Sequence, residues 1–307
     1  MPWFPFWRRK SASTSKPTGM NLPVPASSAP GPAALEARGD RLHRADAPYV
    51  LPSDEQEINR LDFQHYMLRH TLRGNYAAPI TDPREILDVG SGTGRWAIEM
   101  ATLFPQANVL GVDLTPPAPD MQQNLPENLA FTQGNILEGL NFSGGAFDFT
   151  HLRLLLFAIP ENRWPDVVRE LVRVTKPGGW VEIVETGPQQ NGGPAMDQIV
   201  DWITQASLKR GVNPLLGSRI GELLAPAGLT NVVARGVALP VGAYGGRVGR
   251  MAETDIVGVM SGVKGMVSSM GIASPETYDA ALAQAKGDLN RYQCTLPFYI
   301  YYGQKPG

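Results

Sequence analysis

The sequence predicts an α/β fold built on a mostly parallel, seven-stranded sheet with helices on both faces. Three observations point there. An apolar strand (Ile86, Leu87, Val89) runs into a glycine-rich turn and then a helix, over residues 83–103, PREILDVGSGTGRWAIEMATL. A second apolar strand, NVLGV at 108–112, ends on the acid Asp113. Further apolar strands then alternate with helical stretches, the pattern of parallel strands joined by crossover helices.

The chain has 307 residues, 43% apolar and 18% charged, with a net charge of −2. That supports a sizeable core and argues against a nucleic-acid binder held by a broad basic surface. Cys294 is the sole cysteine and His43, His65, His70 and His151 are scattered. A disulfide framework is therefore excluded, and no metal site is expected. No apolar run reaches the ~18 residues of a membrane span, so a cytoplasmic protein is expected.

Residues 1–45 read as a disordered tail rich in Pro, Ala, Ser and Gly, carrying +5 against −7 for the remainder. Such a segment cannot bury enough apolar area to offset its ordering entropy. Within it, Trp3, Phe4, Phe6 and Trp7 precede Arg8, Arg9 and Lys10. That arrangement suits weak contact with a membrane surface but no stable insertion. Residues 46–307 form the folded domain, with a core at 84–186 and lid or substrate elements at 49–75, 190–228 and 242–290.

A leading helix is expected over 54–72. Ser53 or Asp54 caps it, Glu55 and Glu57 complement the helix dipole, and Ile58, Leu61, Leu68 and Leu72 make its apolar face. His65 and Tyr66 on this helix are candidates for substrate contact. The strand at 86–89 then delivers Asp88 two residues before Gly90, Gly92 and Gly94. Glycines serve where the backbone turns sharply and a ligand must approach closely, and the next helix offers free N–H groups. The spacing G-x-G-x-G differs from the G-x-G-x-x-G of dinucleotide sites. A carboxylate at Asp88 opposes a pyrophosphate but suits an ammonium, as in S-adenosylmethionine. Asp113, 19 residues after Gly94, is placed to accept both ribose hydroxyls. After a third strand near 130–132, Asn135 can bond an adenine edge and Ile136 cover its face.

A fourth strand, 147–152, ends near His151 and Arg153. An amphipathic helix over 162–174 stops at Lys176-Pro177-Gly178-Gly179. A fifth strand, 180–184, delivers Glu185. Helices at 195–210 and 218–227, a sixth strand at 229–239 and a seventh at 296–302 follow. Between the last two strands, the glycine- and methionine-rich stretch 242–288 reads as a helical insertion beside the site, with Met260 a candidate substrate contact; gap-filling core is the commoner use of such methionines.

ILDVGSGTG, GVDL, GNI, FDFTHLR and TKPGGWVEIVE resemble class I S-adenosylmethionine-dependent methyltransferases over about 84–186. YVLPSDEQEINRLDFQHYML extends the resemblance to a subgroup related to fungal velvet-complex regulatory methyltransferases and their bacterial relatives. The resemblance implies a Rossmann-like sheet with an antiparallel last strand. It places Asp88, Gly90, Ser91, Gly92 and Gly94 at the methionine end, Asp113 and Leu114 at the ribose, and Asn135 and Ile136 at the adenine. Arg153 positions the cofactor or an anionic substrate.

Methyl transfer is an in-line displacement in which the protein supplies alignment and a dry site. Where the acceptor must lose a proton, His151 and Glu185 are the candidate bases. The expected function is S-adenosylmethionine-dependent methylation of a small molecule, such as an apolar specialised metabolite, releasing S-adenosylhomocysteine. The alternative is a cofactor-binding regulator acting through a protein partner. An NAD-dependent oxidoreductase is disfavoured by Asp88 and the glycine spacing.

Overall fold

The computed structural model describes residues 35–38, 41–44, 51, 55–117, 122 and 125–307. The aromatic–basic segment at 3–10 and the Ser53/Asp54 cap lie outside the described residues. Part of the expected tail is ordered: β1 (Leu35–Arg38) and β2 (Arg41–Arg44) pair antiparallel, with Arg38 opposite Arg41. The Gly39-Asp40 dipeptide between them is a two-residue hairpin signal that the composition of the tail obscured.

The leading helix is α1 (Glu55–Leu72). It is followed by β3 (Glu85–Val89), α2 (Arg95–Leu103), β4 (Asn108–Asp113), β5 (Leu129–Gln133) and β6 (Phe147–Arg153). Then come α3 (Trp164–Val174), β7 (Thr175–Thr186), α4 (Pro194–Leu208) and β8 (Thr230–Pro240). The chain closes with α5 (Gly246–Ser269), α6 (Pro275–Asp288) and β9 (Thr295–Gln304). The sheet order is β5-β4-β3-β6-β7-β9-β8, parallel from β5 to β7, with β9 antiparallel to both of its neighbours. This is the Rossmann-like architecture expected from the sequence.

Two boundaries differ from expectation. The Lys176-Pro177-Gly178-Gly179 breaker ends α3 yet lies inside β7, because Thr175 already pairs with Phe147 and an irregularity in the ladder absorbs the positive φ of Gly178. The expected helix at 218–227 is a 3-10 helix, Leu216–Leu223. Gly217 there packs so closely on β7 that a Cβ would lie 1.9 Å from the Thr186 carbonyl oxygen.

Three apolar cores follow from side-chain alternation. On one face of the sheet, Leu87, Val89, Leu152 and Ile183 pack against Val168 and Leu171 of α3. On the other, Ile86, Val109 and Phe149 pack against Trp96 and Met100 of α2. The third core joins α1, α4, α5 and α6 to the ends of β8 and β9, through Met67, Leu68, Ile199, Val263, Tyr278 and Phe298. Met260 is only 1% exposed within it, and its carbonyl accepts a hydrogen bond from Tyr278 at 2.8 Å. Its side chain fills core space, the commoner use noted for such methionines.

The packing of α1 departs from its sequence pattern. Ile58 is 39% exposed, whereas Glu57 is buried. Arg60 donates to Glu57 and, at 2.7 Å, to Asp255 of α5, and Gln64 donates to Asp255 at 2.9 Å. A polar cluster thus docks the leading helix on the insertion. Among the described residues no helix is long and apolar enough to cross a membrane, and no group of three or more His, Cys, Asp or Glu side chains could hold a metal ion.

Candidate active site

The site forms where β3 and β4 end. After Val89 the chain turns through Gly90, Gly92 and Gly94, all at positive φ (74, 52 and 78°), where a side chain would be strained. The N–H groups of Gly90 and Ser91 both donate to the Val112 carbonyl, fixing the turn to β4. Gly92 N–H donates to Asp113 Oδ2 and Thr115 N–H to Oδ1, each at 2.9 Å. These two amides aim the carboxylate at the mouth of the loop.

Three features leave polar groups and space for a small ligand at the loop. Ser91 Oγ is buried without a hydrogen-bond partner among the described residues. A Cβ on Gly92 would meet only Leu61 Cδ1 of α1, at 3.9 Å, so α1 roofs the loop while leaving room above the backbone. The N-terminus of α2 has no side-chain cap, leaving donors of its first turn to the cleft. Leu114 and Ile136 are half-buried beside Asp113 and Asn135. Asn135 is already engaged as a local cap. Its Oδ1 accepts from Leu137 N–H at 3.0 Å and its Nδ2 donates to Glu138. A second lone pair on the amide oxygen remains open to a ligand.

Behind the loop lies a buried ionic row. In register, Asp88, His151 and Glu182 sit side by side on β3, β6 and β7. His151 Nδ1–H donates to Asp88 Oδ1 at 2.9 Å, and its ring stacks on Trp96 at 3.8 Å and 3°. Glu182 Oε2 accepts the N–H groups of Ala77 (2.8 Å) and Ala78 (2.7 Å). Arg153, two residues past His151 on the same face, donates to His65 Nδ1 at 3.1 Å, and His65 Nε2 faces Glu99 at 3.3 Å. Arg95 pairs with Asp62 of α1 at 2.8 Å. The lid helix is thereby tied to α2 and β6.

This arrangement corrects the sequence reading of two residues. The sequence names His151 and Glu185 together as candidate bases for one site. Strand alternation sends Asp88, His151, Glu182 and Arg153 to the α2 face and Val89, Leu152, Ile183 and Glu185 to the α3 face. His151 is buried and orients Asp88; it does not line the mouth. On α1, His65 is buried in the ionic row while Tyr66 is 46% exposed. Asp62, Glu99, Leu155 and Glu182 were not singled out in the sequence, and Leu61 entered there only as part of the apolar face of the leading helix. Only the helical spacing of Leu61 and Asp62 hinted at a role. The other three depend on register.

Burial sets opposing pH trends. It pushes the carboxyls of Glu182 up to about 7 and Glu185 up to about 8 from 4.5, and pulls His65 down to about 4 from 6.5. The carboxyl contribution to stability is fully present below pH 4.5 and lost as pH rises through 7 to 8. The imidazole contribution is present above 6.5 and lost as pH falls through 4. Urea midpoints should therefore peak at mildly acidic pH and fall on both sides, and Glu182→Gln should flatten the alkaline limb. A midpoint rising steadily from pH 6 to 9 would contradict this.

Residues 86–179 match the family model described as a methyltransferase domain. The methyltransferase str2 of Strobilurus tenacellus is 31% identical over 268 residues, spanning 82% of this chain and 94% of its own length. The N-methyltransferase verN of Clonostachys rogersoniana is 25% identical over 292 residues, 88% of this chain and 97% of its own. The secondary metabolism regulator laeA of Aspergillus fumigatus is 36% identical over 140 residues, 45% of this chain and 36% of its own.

Proposed function

Since this chain belongs to the class I S-adenosylmethionine-dependent methyltransferases, we propose that it methylates a small molecule, such as an apolar specialised metabolite, in the cytoplasm. The observation that carries this reading is the Asp113 carboxylate, held by two backbone amides over a glycine loop roofed by α1. S-Adenosylmethionine, when bound, supplies an electrophilic methyl group and a good leaving group. The protein's part is alignment and exclusion of water.

In this reading Asp113 accepts the ribose hydroxyls, with Leu114 beside it. Asn135 and Ile136 bond and cover the adenine. Gly90, Ser91, Gly92 and Gly94 let the backbone approach the methionine end. Asp88, kept in place by His151, supplies negative charge for the ammonium, and Arg153 balances it from the same face. Tyr66, exposed on the leading helix, faces the acceptor.

Length-spanning similarity to proteins named methyltransferases supports an enzyme, and the regulator alternative is not favoured, because laeA matches less than half of the chain. The net charge of −2 supports small acceptors over nucleic acid. The test is release of S-adenosylhomocysteine during incubation with S-adenosylmethionine and a panel of apolar amines, phenols and acids. Turnover with at least one small acceptor and none with RNA or DNA is expected. Methylation confined to a protein or nucleic acid would contradict the reading.

A further inference from the structure

Glu185 has no place in the site described above, yet it is fully buried at the end of β7. Its Oε1 accepts the Leu155 N–H at 2.7 Å. Leu155 lies in the loop that follows β6, and its side chain backs the first turn of the glycine loop: a Cβ on Gly90 would stand 2.7 Å from both Leu155 methyl carbons. Leu154, which opens this loop, adopts a left-handed conformation at φ 57°. That conformation is disfavoured for a non-glycine residue, so the loop needs an external hold. It has two: Leu154 N–H donates to the Val184 carbonyl at 3.0 Å, and Glu185 takes the next amide.

We propose that Glu185 is a positioning residue, whose carboxyl holds the loop after β6 so that Leu155 sets the Gly90 turn of the cofactor loop. This rests on the methyltransferase reading only for the identity of the ligand. The geometry separates Glu185 from proton transfer to an acceptor, since it points to the α3 face, away from Asp88, His151 and Arg153. Burial pushes its carboxyl up to about 8, so near neutral pH it is mainly the neutral acid. Its other oxygen, buried without a partner among the described residues, is free to carry the proton. A glutamine side chain keeps the same shape and an oxygen to receive the Leu155 N–H.

The test compares the full chain with Glu185→Leu, Glu185→Gln, Leu155→Ala and the Glu185→Leu/Leu155→Ala double variant. S-Adenosylhomocysteine affinity is measured by calorimetry, and exchange of the Leu155 and Leu156 amides by hydrogen–deuterium exchange. Glu185→Leu and Leu155→Ala are each expected to weaken binding at least tenfold. The double variant should lose no more than about threefold beyond the weaker single, because both act through one contact. Glu185→Gln should recover both affinity and amide protection. Additive losses, or a glutamine variant as impaired as the leucine one, would overturn the proposal. Should Glu185→Leu fail to fold, Glu185→Gln and Leu155→Ala still decide it. Should the wild-type chain not bind S-adenosylhomocysteine, the functional reading falls, while amide exchange still judges whether Glu185 holds the loop.

Discussion

Asp113→Ala is expected to weaken S-adenosylhomocysteine binding by about a hundredfold or more, measured by calorimetry. Two hydrogen bonds from ribose hydroxyls to a charged acceptor contribute about 1.5–3 kcal/mol each, where 1.4 kcal/mol is tenfold in affinity. The substitution also releases the Gly92 and Thr115 amides, which meet that carboxylate at 2.9 Å, so the glycine loop loses one of its anchors to β4. Asp113→Asn keeps one oxygen for these roles and should fall between wild type and alanine. Binding within threefold of wild type in a folded Asp113→Ala variant would mean that the ribose lies elsewhere.

Arg60→Met is expected to destabilise the fold by about 3–5 kcal/mol near neutral pH. Arg60 is the cation shared by the buried carboxylates Glu57 and Asp255. The methionine fills similar volume but removes the cation that both carboxylates meet between α1 and α5. The penalty should shrink as pH falls, since Asp255, whose carboxyl burial already holds above the usual carboxylate range, can then take up a proton. Urea unfolding of both chains at pH 5 and pH 7.5 measures this. A loss that is the same at both pH values would assign the effect to packing. Because α1 roofs Gly92 through Leu61, a loosened α1 should also weaken cofactor binding.

The central unit was legible because its signals are local. The glycine turn, the strands on either side and α2 (Arg95–Leu103) follow from short-range spacing, and α2 begins and ends where the sequence places it. The amphipathic helix before β7 was legible for the same reason, with Trp164, Val167, Val168, Leu171 and Val174 all buried. What escaped depends on distant partners. The buried polar face of α1 exists because Asp255 comes to it from 195 residues away. Trp96 stacks on His151 and donates to the Asn75 carbonyl, a pairing that only strand register reveals. The separation of His151 from Glu185 was nearly readable, since alternation along β6 and β7 assigns their faces once Asp88, His151 and Glu182 are aligned.

The identity of the ligand in the glycine loop is the claim on which the rest stands. Thermal unfolding with S-adenosylmethionine, S-adenosylhomocysteine and NAD in parallel tests it most directly. A ligand at 100 times its dissociation constant adds about 2.7 kcal/mol of stability, a readily measured rise in midpoint. Both adenosyl ligands should raise it and NAD should leave it unchanged. A rise with NAD alone, or none with either adenosyl ligand, would contradict the assignment of this site.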